Sequence, residues 1–229
     1  MPTDDRRPSR ARQAAWAQAA AAALADGDAN PTLIVSAGVA FALFGAAMML
    51  WAGAEENKLV RIAPLVVAMA AVAARETCDL LGDMVATDRG RGGPAWPIWR
   101  ELTERISDAV LLAGAGYGAA TIVAGEEMGW IAAALGLMAA LVRLLGHSLG
   151  FPEDFSGLAP SPRRMAALAA ALAISLVEPL WGWRGQSLMI ALALIALATA
   201  FTVANRIRRL AGRLAARALE SPPPKEPMS

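Results

Sequence analysis

Stretches of apolar sequence close to the length of a membrane span recur along this chain, and they constrain the fold before any single residue does. A transmembrane helix needs about 20 mostly apolar residues, and within lipid only helices or closed barrels satisfy their own backbone hydrogen bonds. The stretches cover 31–53, 59–83, 100–124, 128–149, 164–181 and 186–206. They predict an all-α polytopic membrane protein with six transmembrane helices, although the fifth stretch is short and the second and third are charged at one end. Hydrophobic residues make up 56% of the chain, in keeping with that class. The net charge of +1 gives no basic field that would point to nucleic acid.

Around this membrane domain, 31–209, the sequence predicts two flanking pieces. Residues 1–30 form a cytoplasmic tail whose Ala-rich run, 14–25, reads as an amphipathic juxtamembrane helix, with a cleaved signal peptide as the alternative. Residues 210–229 read as a proline-rich, disordered tail. Arg89, Arg91, Arg143, Arg163, Arg164 and the tail arginines Arg206, Arg208, Arg209, Arg213 and Arg217 all fall on one side of the predicted membrane. The positive-inside rule makes that side cytoplasmic and puts both termini there. Trp51, Trp130, Trp181 and Trp183 sit at the outer span ends as interfacial anchors. The glycines at 114, 116 and 118 read as close helix packing. Cys78, the single cysteine, reads as a small packing residue, and His147 as a partly wet interfacial side chain. Glu178 reads as solvated or paired with Arg184.

One segment carries the chemistry. Residues 75–108 read RETCDLLGDMVATDRGRGGPAWPIWRELTERISD. Asp79 and Asp83 are four residues apart, as are Glu104 and Asp108, so each pair shares one face of a helix. Two such helices side by side aim four carboxylates into one pocket. Buried carboxylates are costly without positive charge nearby, and a divalent metal with oxygen ligands, Mg2+ or a relative, is the natural partner. The competing reading is ion pairing at the membrane interface, Asp79 with Arg75 and Glu104 with Arg100 or Arg105.

This segment resembles the signature of the CDP-alcohol phosphatidyltransferase family, D-x-x-D-G-x-x-A-R followed after a gap by G-x-x-x-D-x-x-x-D. Asp79 falls on the first Asp, Ala86 on the Ala and Asp108 on the last Asp. The stretch ELTERISDAVLLAGAGY, the later VRLLGHSLGFPEDFSGLAPSPRRMA, and Pro31-Thr32 at the first span also resemble the family. The departures are Gly82-Asp83 in place of Asp-Gly, Thr87 in place of Arg, Arg100 in place of Gly, Glu104 in place of the third Asp, and a longer gap.

What the resemblance implies is a metal-dependent membrane enzyme of phospholipid biosynthesis. It would transfer a phosphatidyl group from a CDP-linked lipid, such as CDP-diacylglycerol, to an alcohol acceptor and release CMP. Asp79, Asp83, Glu104 and Asp108 would hold Mg2+ or Mn2+, and Asp108 would be the general base. Gly82, Ala86, Thr87 and Thr32 would bind the nucleotide, while Arg143, Arg163 and Arg164 would receive the acceptor or a phosphate. The resemblance further implies a homodimer in a bacterial-type inner membrane, with the active site on the cytoplasmic side. Two other readings stand beside it. One is a catalytically silent relative that keeps the fold; the other is a small transporter or membrane scaffold.

Overall fold

In the computed structural model, residues 10–119, 122–151 and 160–220 are described, and every long element among them is a helix. Residues 221–229 of the tail expected to be disordered lie outside these residues. Helices α1 (Arg10–Gln13) and α2 (Ala15–Asp26) precede the main bundle, which is built from α3 (Pro31–Ala54), α4 (Ile62–Asp83), α5 (Trp96–Gly118), α6 (Gly125–Ser148), α7 (Ser161–Ser175) and α8 (Gln186–Glu220). Local chemistry sets several starts. The Asn30 side chain accepts a hydrogen bond from Thr32 N at 2.9 Å, and Pro31 occupies the first helical position, where no backbone donor is needed. Prolines also open α5 and α7.

Side-chain contacts fix how the helices run. At one end, Arg61 ahead of α4 donates to the Gly118 carbonyl at the close of α5 (2.8 Å) and lies 3.6 Å from Glu178 beyond α7. Glu178 in turn accepts from the backbone N–H groups of Gly185 and Ser187 at the start of α8, both at 2.7 Å. The beginnings of α3, α5 and α7 and the close of α4 therefore gather at the opposite end. Glu178 is fully buried, so it is not solvated, and Arg61 stands by its carboxylate at 3.6 Å.

The expectation of six transmembrane helices is corrected here. Among the described residues, three helices are long and apolar enough to cross a membrane by length and composition: Pro31–Ala54, Gly125–Ser148 and the Gln186–Arg217 part of α8. Helix α4 has the length but ends in Arg75, Glu76, Asp79 and Asp83, and α5 begins with Arg100, Glu101, Glu104, Arg105 and Asp108. Helix α7 has 15 residues, about 22 Å at 1.5 Å per residue, which falls short of a hydrocarbon layer of about 30 Å. The chain is an all-α polytopic membrane protein, with three such helices among the described residues.

Small side chains hold the bundle together. The core joins Ala42, Met49, Leu65, Leu111, Leu112, Ala132, Leu168, Leu172, Leu188 and Leu192 from all six main helices. A Cβ on Gly116 would come within 2.8 Å of Gly129 Cα, so α5 and α6 touch backbone to backbone, as the glycine run predicts. Helix α2 buries Ala17, Ala21 and Ala25, one turn apart. The first two pack on Met84 and Val85, in a π-helical turn (Met84–Asp88) that continues α4. The buried face of α2 thus rests on protein. Helix α8 also continues through residues 210–220, because Leu, Ala and Arg there favour a helix whether or not lipid surrounds it.

Candidate functional site

The end where α4 closes and α5 and α7 begin contains a cavity of about 1070 Å³, lined among others by Arg12, Trp16, Arg75, Asp79, Asp83, Thr87, Arg100, Glu104 and Ser161. The juxtaposition follows from helical spacing on α4 and α5, which brings Asp79, Asp83 and Glu104 to a shared wall. Arginines stand against these carboxylates. Arg75 Nη2 lies 3.0 Å from Asp79 Oδ2 and 3.1 Å from Asp108 Oδ1, and Arg75 Nη1 pairs with Glu76. Asp108 Oδ2 accepts from Ser161 Oγ at 2.6 Å and from Arg164 Nη2 at 2.8 Å. Glu104 pairs with Arg105 at 2.8 Å. Asp83 pairs with Arg12 at 2.9 Å, and Arg100 Nε stands 3.0 Å from its other oxygen in a charge contact without hydrogen-bond alignment.

These contacts bear on the chemistry the site can do. Magnesium needs near-octahedral oxygen ligands at about 2.0–2.1 Å, and manganese favours carboxylate, carbonyl and water oxygens too. Among the described residues, no group of three or more acidic, His or Cys side chains is placed to hold an ion. Position 82 cannot supply the missing ligand as the backbone stands, because a Cβ there would meet Val35 Cγ1 at 2.6 Å. The residues present do not fit a bound divalent metal. Asp108 is 3% exposed and does not line the cavity, whereas a general base must come within hydrogen-bond reach of the proton it takes.

The other expected site residues divide. Thr87 lines the cavity and accepts from Arg12. Ala86 is buried behind it against Val35 and Trp96. Thr32 lies in the first turn of α3, where its backbone N–H donates to the Asn30 side chain, and it lies outside the cavity wall. Arg164 sits on Asp108, Arg143 pairs with Glu101 at 2.6 Å, and Arg163 is exposed on α7 away from the cavity. Sequence reasoning missed three residues that shape the pocket: Arg12, Trp16 and Ser161. Arg12 reaches Asp83, Thr87 and Asp88 from 71 to 76 residues away, a pairing that no local spacing signals. Its two hydrogen bonds hold the Asp88 carboxyl below the usual carboxylate range.

No family model matches the chain, and no curated protein does. Solved structures do. Phosphatidylinositol phosphate synthase (PgsA1) of Mycobacterium tuberculosis with CDP-DAG bound superposes at a TM-score of 0.71 and 18% identity, covering 94% of this chain and 100% of that one. The same protein in complex with manganese and citrate gives 0.69 at 18% identity, covering 91% of each chain. At that identity the likeness shows the fold. The chain has the fold of a bacterial CDP-alcohol phosphatidyltransferase, in line with the resemblance of its sequence.

Proposed function

We propose that this protein is a non-transferring relative of the CDP-alcohol phosphatidyltransferases, which keeps their fold and uses the pocket to hold a phospholipid headgroup. The observation that carries this reading is that every carboxylate of the expected metal set is held by arginine. A guanidinium neutralises a carboxylate but opens no coordination site for a phosphate oxygen. The lining is of mixed sign, which suits a headgroup carrying both a phosphate and an ammonium. Arg100 is partly exposed and engages Asp83 through Nε, so its terminal nitrogens remain as a forked donor for a phosphate. Glu76 and Glu104 stand in the same lining for the ammonium, and the Trp16 ring adds an apolar edge. A diphosphate without a metal would meet Glu76, Asp79, Asp83, Asp88 and Glu104 across the same space.

The transfer reading has one finding in its favour, the shared fold with a synthase solved with CDP-DAG bound. It would make the cavity the seat of a CDP-linked lipid and an alcohol acceptor. In this reading the arginine excess among the loops and tail favours a cytoplasmic pocket, with both termini on the same side.

One experiment separates the two. Purified protein in nanodiscs is supplied with CDP-diacylglycerol, Mg2+ or Mn2+, and glycerol phosphate, inositol phosphate or serine in turn. No CMP above the protein-free control is expected. Native mass spectrometry of the same preparation should show a retained zwitterionic phospholipid, and Arg100→Ala or Glu104→Gln should release it. Metal-dependent CMP release, or retention unchanged in both variants, would overturn the proposal.

A further inference from the structure

The cation at the centre of this pocket is part of the chain. Arg75 Nη2 touches oxygens from two helices: Asp79 Oδ2 at 3.0 Å on its own helix α4, Asp108 Oδ1 at 3.1 Å on α5, and the Glu104 carbonyl at 3.4 Å on α5. Its side chain is 2% exposed. Burying a cation is unfavourable unless opposite charges and hydrogen bonds compensate it, and a neutral side chain of similar volume would avoid that cost. A cation at such a position offsets the mutual repulsion of the surrounding carboxylates.

We infer that Arg75 serves as a built-in cation in place of a divalent metal ion, and that its removal uncovers a divalent-cation site formed by Asp79, Asp108 and Glu104. The inference deepens the reading of a metal-free, non-transferring pocket and rests on it. Arginine suits the role better than lysine. Its charge is permanent, and its planar fork contacts several oxygens at once. A metal ion would draw the two carboxylate oxygens in to about 2.0–2.1 Å for magnesium, or about 2.3–2.6 Å for calcium, a contraction of up to about 1 Å from their nitrogen distances of 3.0 and 3.1 Å. Side chains on two helices can make that contraction once the guanidinium is gone. An ordinary structural ion pair makes a different forecast: losing Arg75 would weaken the fold, and no metal would mend it.

The test uses the full-length protein in detergent, stripped with EDTA and titrated with Mn2+ alone. Thermal unfolding and Mn2+ electron paramagnetic resonance provide the readouts. The wild type is expected to bind no stoichiometric Mn2+ and to melt at the same temperature with Mn2+ or EDTA. Arg75→Ala should lose roughly 10 °C of melting temperature and regain most of it saturably with Mn2+, as linkage to a bound ligand requires. Arg75→Lys should remain indifferent to Mn2+. Arg75→Gln, closer to the native volume, gives the same reading if the alanine variant does not fold. One Mn2+ per wild-type chain, or destabilised Arg75 variants that Mn2+ does not restore, would overturn the inference. CMP release by a wild type that binds no Mn2+ would instead remove the proposed function and leave Arg75 in its role.

Discussion

Val35 decides what position 82 can be. Its Cγ1 lies 2.6 Å from where a Cβ on Gly82 would stand, so restoring the family's Asp-Gly step by substitution means overpacking a buried contact. Such insertions cost about 1–3 kcal/mol. Gly82→Asp with Asp83→Gly is therefore expected to melt several degrees lower than the wild type, and adding Val35→Ala should return most of the loss. An unshifted melting curve for the first variant would contradict the contact. This residue also marks how much of the site could be read in advance. The i, i+4 spacing correctly put Asp79 and Asp83 on one face of α4, and the pairing of Asp79 with Arg75 was legible by the same rule. The constraint from Val35 was not, because it acts across helices far apart in sequence. The same holds for Ser161, whose hydroxyl meets Asp108 across 53 residues.

At the scale of elements, the N-terminal helices act as a strap across the pocket. Arg12 anchors them through Asp83 and Asp88, while Ala17 and Ala21 rest on the π-helical turn. Asp88 has its pKa depressed in the folded protein, chiefly by the hydrogen bonds from Arg12. A depressed carboxyl contributes stability that is complete above its unfolded value, about 3.9, and that is lost as the pH falls through the folded value. Lowering the pH from 6 to 3 is therefore expected to raise amide hydrogen exchange in α2 before it rises in α3. Arg12→Ala should raise it in α2 already at neutral pH. Equal protection of α2 at both pH values would refute the anchoring. Periodicity and composition located α3 and α6 to within a few residues, since a long apolar run and a long helix coincide there. They misplaced the end of α8, because hydropathy tracks lipid, whereas Arg-, Ala- and Leu-rich sequence stays helical beyond it. They also counted charged α4 and α5 and short α7 as spans, though buried neighbours can take the place of lipid around them.

For the whole molecule, the charge asymmetry makes a topological forecast. The pocket end carries Arg91, which pairs with Asp28 at 2.6 Å, and the opposite end carries Lys58. In a Cys78→Ala background, Lys58→Cys is expected to react with an impermeant thiol reagent added outside intact cells. Arg91→Cys should react only after the membrane is opened. The reverse pattern would invert the orientation. On the inner side the pocket would face the cell's ion pools, and there Arg75 would have a further consequence. A metal centre has an occupancy that rises and falls with supply, and it can be loaded with the wrong ion or stripped by a chelator. A guanidinium encoded in the gene arrives with each chain as it is synthesised, one per molecule, and does not exchange. Two cells that differ widely in free magnesium or manganese would contain this protein in one and the same form.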